Sequence, residues 1–136
     1  MSNLINFELV SPEAKLVSEP MYLVEIPGDD GTFGVSAGHC SLVSSLRYGV
    51  VRLRRDENSD EVQEIFIAGG FADVTPENCT ILAEQAINVK DMDLESLEQY
   101  LTDLTEDLSL AEEVEDKTRI KNKILLIKAK ISAVSS

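Results

Sequence analysis

A glycine-rich segment at residues 28–34, GDDGTFG, is the first place where this sequence could carry chemistry. A loop that cradles phosphate has the form G-x-x-x-x-G-K-[ST], or G-x-G-x-x-G at the start of a helix. Neither spacing is present, no lysine follows, and the carboxylates of Asp29 and Asp30 repel phosphate. The segment therefore predicts a tight turn between two strands, in which glycine supplies a positive φ.

The single histidine, His39, is the next candidate. A hydrolytic triad needs a histidine beside a nucleophilic Ser or Cys and an orienting carboxylate, but Cys40 is the sequence neighbour and points to the other side of a strand. One histidine and two distant cysteines, Cys40 and Cys79, lack the spacing of a zinc site, and no calcium loop of the form D-x-[DN]-x-[DN]-G occurs. The sequence thus predicts no catalytic residue, no metal site, and a hydrogen-bonding role for His39 in the structure or at an interface.

Composition limits the partners and the compartment. The chain has 136 residues, of which 25 are acidic and 12 basic, and a net charge of −13, so nucleic acid and anionic lipid head groups are poor partners. No apolar run approaches the roughly 20 residues that cross a bilayer, and membrane association is therefore expected only through a protein partner. No secretory signal precedes the first strand-like run, which predicts a reducing compartment with both thiols free, each a small semi-buried apolar residue.

The first part of the chain, to about residue 89, has the periodicity of strands. Ile5, Phe7 and Leu9 alternate with other residues, and Gly, Pro or Asn interrupts the chain about every 8–12 residues, which is typical of β-sandwiches and barrels. Strands are expected at residues 5–10, 21–26, 49–55, 62–68, 80–83 and 86–89. One face of each strand is expected to enter a shared core, while the other meets water or a partner.

From about residue 91 the period changes to that of helices. Leucines recur at steps of three and four from Leu94 to Leu108, and isoleucines do so from Ile120 to Ile131, which indicates two apolar stripes that can pair. Asp93 fits an N-cap for the first helix.

The turn between the helices has no breaker residue, because no Gly or Pro follows Pro76. Ser109 with Glu112 fits the capping box S-x-x-E and predicts that a second helix begins near residue 110. Two helices folded back on each other are the preferred interpretation, and one continuous helix is left open.

Two blocks of the sequence resemble the ε subunit of bacterial F-type ATP synthases. The family pattern G-x-x-G-x-[LF]-G-[IV]-x-P-G-H is matched at Gly28, Gly31, Phe33, Gly34, Val35, Gly38 and His39. The pattern G-G-[FI]-x-[ED]-V-x-x-x-x-[VC]-T-[IV]-L-A-[ED]-x-A is matched at Gly69, Gly70, Phe71, Asp73, Val74, Cys79, Thr80, Ile81, Leu82, Ala83, Glu84 and Ala86. Ala37 departs from the first pattern, because the family usually has Pro there. Residues 68–84 are interpreted as sandwich core.

The resemblance implies a ten-stranded flattened β-sandwich or barrel over residues 1–89, followed by an antiparallel α-helical hairpin over residues 90–136. It also implies a non-catalytic rotor subunit of the central stalk, which couples the γ subunit to the membrane c ring in proton-driven ATP synthesis. Such a subunit is peripheral to the cytoplasmic face of the bacterial inner membrane.

By position in the family, two groups of residues are expected to contact these partners. The residues expected to face γ are Ser11, His39 and Ser44. The residues expected in the loop near the c ring are Asp29, Asp30 and Thr32. Because the ring's cytoplasmic loops contain basic residues in the family, an acidic loop there is electrostatically favourable.

The helical hairpin is the regulatory element that the resemblance implies. In several relatives it extends along γ toward the catalytic α/β subunits and blocks rotation; here the matched apolar stripes and the lack of a glycine hinge predict a folded hairpin that inhibits weakly. Some relatives bind ATP through the pattern [IL]-D-x-x-R-A. Here Asp93 is retained as a weak candidate, but Ser96 stands in place of the Arg, so no nucleotide cofactor is expected.

A second function class remains open beside this one. A free-standing β-sandwich that binds a small ligand or peptide, with a helical hairpin for dimerisation, has the same sequence pattern. That protein would form a homodimer and would not bind γ.

Overall fold

The computed structural model describes residues 3–135, which divide into two units, one reaching to Asn88 and the other beginning at Val89. Eight strands lie in the described part of the first unit: β1 (Ile5–Val10), β2 (Lys15–Met21), β3 (Leu23–Gly28), β4 (Gly31–Val35), β5 (Leu42–Arg54), β6 (Gln63–Val74), β7 (Asn78–Ala83) and β8 (Ala86–Asn88). The second unit contains a single turn of 3-10 helix, Val89–Asp91, and two helices, α1 (Leu94–Leu110) and α2 (Val114–Ser135).

The strands lie side by side in the order β2-β1-β7-β6-β5-β3-β4, and β8 pairs with β6. Every pair is antiparallel except β1 with β7, which is parallel. Two long strands change neighbours along their length: residues 65–67 of β6 pair with β8, and residues 70–74 pair with β7. β5 follows β6 through both regions. We call β2, β1, β7 and the adjoining halves of β6 and β5 the first layer, and the remaining strands the second layer.

The expectation of ten strands is wrong for residues 3–135, which contain eight. β5 and β6 have 13 and 12 residues and run through both layers. Each therefore counts as one strand, although it would count as two if it were divided at the boundary between the layers. The expected strands also omit β2, because only Val17 and Met21 of its seven residues are buried and the exposed Glu19 between them breaks the alternation. An exposed edge strand leaves little apolar periodicity in a sequence.

Two consecutive glycines make the bend in β6. Gly69 and Gly70 have φ values of +84° and +133°, which L-residues with a side chain rarely adopt. The bend lies where β7 gives way to β8, and Glu84 of that connection donates its N–H to the Gly69 carbonyl at 3.1 Å. The same glycine pair therefore lies at the boundary between the two layers.

One hydrophobic core is built from residues of both layers. Phe7, Val24, Val51, Ile65 and Ile81 are buried in it and come from five different strands. Burial of each such aliphatic side chain contributes roughly 1.5–3 kcal/mol. Because side chains alternate along a strand, the residues between these positions lie on the outer faces, where Phe66 and Ala68 of β6 are nevertheless buried.

The N-terminus of α1 confirms the predicted cap. Asp93 has an extended backbone, with φ −107° and ψ 110°, and its Oδ1 accepts a hydrogen bond from the Glu95 N–H at 3.1 Å. Leu104 of α1 and Ile127 of α2 are buried, and the two helices contact each other.

The connection between the helices differs from the capping-box prediction. α1 continues through Ser109, whose Oγ donates to the Glu106 carbonyl at 2.6 Å within the last turn. Ala111 then leaves the helical region with ψ 133°, and α2 begins only at Val114. One continuous helix is therefore excluded in this structure, although Ala111, Glu112 and Glu113 are good helix formers.

Candidate functional site

The three residues expected to face γ all make local hydrogen bonds. Ser11 lies in the β1–β2 turn, where its Oγ donates to the Ala14 carbonyl at 3.4 Å. Ser44 lies on β5, half-buried, and its Oγ donates to the Ser45 carbonyl at 3.0 Å. His39 precedes β5, and its Nδ1 lies 2.7 Å from the Cys40 carbonyl. Because a carbonyl only accepts, Nδ1 carries the proton, and Nε2 of a neutral ring is left as an acceptor.

The fold does not gather these three residues into one cluster. Ser44 is level with Ala72, which is level with Ile81 and Leu9 across the first layer. Ser11, two residues beyond Leu9, is thus three strands from β5, about 14 Å at the usual strand spacing. His39 lies at the other end of the first-layer strands from Ser11, beside the turn between β6 and β7. There the Gly38 N–H donates to the Pro76 carbonyl at 2.8 Å.

An exposed apolar row on the outer face of the first layer was not expected from the sequence. Phe71 of β6 and Leu82 of β7 are directly paired and are 56% and 54% exposed. Val10 pairs with Leu82 on the other side, and Val43, 72% exposed, is the diagonal neighbour of Phe71. We call these four residues the apolar row. Contiguous exposed apolar surface of this kind is typical of protein–protein contact.

The interpretation of residues 68–84 as core is therefore only half right. Ala72 and Ile81 are fully buried, whereas Phe71 and Leu82, one position away on each strand, face outward. The alternation of side chains along β6 and β7 already indicates this arrangement, because Phe71 and Leu82 must face away from their buried neighbours. An apolar residue on both faces of a strand indicates a second buried surface, or one that a partner covers.

The acidic hairpin, residues 28–32 between β3 and β4, does bring the expected ring-facing residues together. Gly28 pairs with Gly31, which leaves exposed Asp29 and Asp30 at the tip. The next residue, Thr32, accepts a hydrogen bond on Oγ1 from Arg47 Nη2 at 3.1 Å. The prediction of a tight turn is confirmed, and Gly31 has the positive φ, +132°.

The two cysteines occupy different environments instead of two semi-buried ones. Cys40 is exposed, and Cys79 is fully buried in the core. Burial, and to a lesser extent the negative charge of Asp73, raise the pKa of the Cys79 thiol to about 12. Cys79 is therefore a protonated core residue at neutral pH.

A groove of about 600 Å³ runs along α1 in the second unit. Four of its nine lining residues are acidic, namely Asp93, Glu95, Asp103 and Asp107, and one, Lys123, is basic. Both carboxylate oxygens of Asp93 accept hydrogen bonds within the helix, since Oδ2 accepts from Ser96 Oγ at 2.8 Å. A groove with this charge repels phosphate groups.

Among residues 3–135, no helix is both long and apolar enough to cross a membrane. The described part of the chain thus defines a class of protein: a small two-layered β-domain with an exposed apolar row, followed by a helical unit. The family described as "ATP synthase, Delta/Epsilon chain, beta-sandwich domain" matches residues 4–89.

Comparison with known proteins resolves the class further. The ATP synthase epsilon chain of Rhodospirillum centenum is 37% identical over 139 residues, covering 100% of this chain and 95% of the relative. That of Mesorhizobium japonicum is 40% identical over 121 residues, covering 89% and 87%. The chain therefore belongs to the ATP synthase epsilon chain family.

A solved structure shows the same fold at lower identity. A chain in the cryo-EM structure of the Euglena gracilis mitochondrial ATP synthase, OSCP/F1/c-ring in rotational state 1, superposes with a TM-score of 0.83 at 21% identity. The match covers 97% of this chain and 82% of that one.

Proposed function

We propose that this chain is a non-catalytic rotor subunit of a proton-driven F-type ATP synthase. In this role it couples the γ subunit to the membrane c ring, at the cytoplasmic face of the bacterial inner membrane. The observation that carries the proposal is the apolar row, because a soluble β-domain gains nothing from exposing Phe71 beside Leu82 unless a partner covers them. Family membership supplies the kind of partner.

The proposed γ surface centres on the apolar row. Its rim is polar, since Thr80 and Asp73 are the next pair along β7 and β6 on the same face. An apolar centre with a polar rim is the usual organisation of a protein interface. Ser11 and His39 lie beyond the two ends of the first-layer strands, so the proposal places them at the margin of the contact. Ser44 pairs with the buried Ala72 on the inner face of β5, so the proposal leaves its side chain outside the contact.

The proposed contact with the c ring is the acidic hairpin. Asp29 and Asp30 have no ion-pair partner among residues 3–135, and both are exposed. Carboxylates in this state attract a basic surface and speed association with it. They fit the basic cytoplasmic loops that the family resemblance implies for the ring.

A stoichiometric complex with γ tests the function. Co-expression with the γ subunit of the same organism is expected to yield a complex with one copy of each chain, and native mass measurement of this chain alone is expected to give a monomer. An isolated homodimer that leaves γ unbound contradicts the proposal and supports the free-standing binding module instead.

We further propose that the helices form an antiparallel hairpin that stays folded and inhibits ATP hydrolysis weakly. α1 has five acidic and no basic residues, whereas α2 has six basic and two acidic residues, so the two helices attract each other over and above their apolar contact. Extension along γ requires giving up both contributions.

Deletion of residues 91–136 tests weak inhibition. The ATPase rate of the assembled enzyme is expected to stay within about 2-fold of that with the intact chain, because little inhibition is there to be relieved. Binding of the truncated chain to γ serves as the control for a folded β-domain. A large activation contradicts the proposal.

Nucleotide binding is not part of the proposed function. Asp93 uses both carboxylate oxygens to cap α1, and Ser96 offers no positive charge to a phosphate. The proposal therefore assigns no cofactor to this chain.

A further inference from the structure

We infer that Arg47 is a positioning residue that holds the acidic hairpin in one conformation; the functional part of this inference rests on the proposed contact of that hairpin with the c ring. Arg47 lies on β5, fifteen residues from its partner in sequence, and its Nη2 donates to Thr32 Oγ1 at 3.1 Å. Both side chains are exposed.

The two residues at the tip of the hairpin lack the positive φ of the commonest two-residue turns. Two-residue hairpins usually use type I′ or II′ turns, whose twist matches that of the strands and which need a positive φ at the first central residue. Asp29 and Asp30 both have negative φ, because no residue other than glycine has a positive φ in the described chain. The positive φ of this hairpin lies at Gly31 instead, as when a type I turn is followed by a glycine.

Two hydrogen bonds join the hairpin to β5. The Asp29 N–H donates to the Ser45 carbonyl at 3.0 Å, and Arg47 holds Thr32 on the other arm of the hairpin. These bonds fix both arms to the same strand, on either side of Asp30. A hairpin fixed in this way loses less conformational entropy when it binds a partner.

Arg47 also differs from the other basic residues of the first unit. Lys15, Arg52 and Arg55 each form an ion pair with a carboxylate, and Arg54 donates to the Ser59 carbonyl at 3.0 Å. Arg47 alone bonds to a neutral hydroxyl of the hairpin, and it forms no ion pair among residues 3–135. Because no carboxylate forms an ion pair with Arg47, its guanidinium is not drawn away from Thr32.

Hydrogen exchange on the full chain tests the assignment. Arg47→Gln and Thr32→Val are each expected to speed amide exchange at residues 29–32 by about 5-fold, the effect of one net hydrogen bond, and the double variant to add little to either. Arg47→Lys, which can still donate to the hydroxyl, is expected to restore most of the protection. Arg54→Gln, the matched control on the same strand, is expected to leave the hairpin unchanged, and the melting temperature of every variant to stay near that of the parent.

Binding to the isolated c ring, measured with the complex of this chain and γ, separates the inference from the function on which it rests. Faster exchange together with weaker ring binding supports both. Faster exchange with unchanged ring binding supports the positioning role of Arg47 and overturns the assignment of the hairpin as the ring contact. Unchanged exchange in Arg47→Gln overturns the inference, whatever the binding shows.

Discussion

Replacement of Gly70 by alanine is expected to lower the free energy of unfolding by about 3 kcal/mol or more, the largest effect of a single methyl group in this chain. Two costs combine at this position. The backbone φ of +133° strains any residue with a Cβ, and that Cβ would overlap the Leu82 carbonyl oxygen and lie 2.9 Å from the Ala83 Cα. Both neighbours are backbone atoms of β7, which cannot move without breaking the sheet. Urea unfolding followed by circular dichroism measures the effect.

Gly34→Ala provides the matched control for this prediction. Gly34 also lies in a strand, but it has no positive φ, and an added Cβ would meet only the Leu23 side chain at 3.5 Å, an ordinary contact. Its stability is expected to change by less than about 0.5 kcal/mol, or to rise slightly because alanine restricts the unfolded chain. Equal destabilisation by the two substitutions would show that the bend at Gly70 is not the source of the effect.

Phe71→Ser and Leu82→Ser are each expected to weaken binding to γ by about 30-fold, the loss of roughly 2 kcal/mol that is common for central apolar residues of an interface. The two side chains pair directly across β6 and β7, so their losses are expected to be non-additive. Titration calorimetry, or competition between variant and parent chains for γ, measures the change. The folded chain itself should tolerate both substitutions, because a cross-strand pair contributes only about 0.2–1 kcal/mol.

The control for this experiment is Val62→Ser, which removes an exposed apolar side chain from the connection before β6, outside the apolar row. Its binding to γ is expected to match that of the parent chain. Normal binding by Phe71→Ser, with a melting temperature like that of the parent, contradicts the placement of γ on this face. Equal weakening by Val62→Ser indicates a general effect on the domain.

The strand pattern shows how far sequence reasoning reaches in this fold. β1 was predictable because Ile5, Phe7 and Leu9 lie on one buried face. The apolar half of β6 was predictable because its β-branched and aromatic residues, Ile65, Phe66 and Ile67, form a continuous buried run. β2 was not, because most of its residues are exposed, and neither was the continuity of β5 and β6 through both layers. Periodicity reports which face is buried locally and carries no information about where a strand changes its neighbour.

The connection between the helices shows the same limit. Asp93 was predictable as a cap, since its carboxylate satisfies an N–H of the first turn by a purely local bond. The break at residues 111–113 was predicted too early, because Ser109 and Glu112 fit a local motif that the structure does not form: the Ser109 hydroxyl bonds back to Glu106 within α1. Local propensity alone would continue the helix through this segment.

The sequence by itself determined the family, the β and α halves of the chain, the turn at Asp29 and Asp30 and the cap at Asp93. Each of these rests on contacts between residues close in sequence, or on glycines at positions where the backbone conformation disfavours any other residue. The tertiary structure alone decided which residues form the exposed apolar row and which side chains contact the acidic hairpin. Phe71 and Leu82 become an exposed pair only when β6 and β7 align, and Arg47 reaches Thr32 only when β5 lies beside the hairpin. Such pairings depend on the register of distant strands, which the pattern of one strand does not encode.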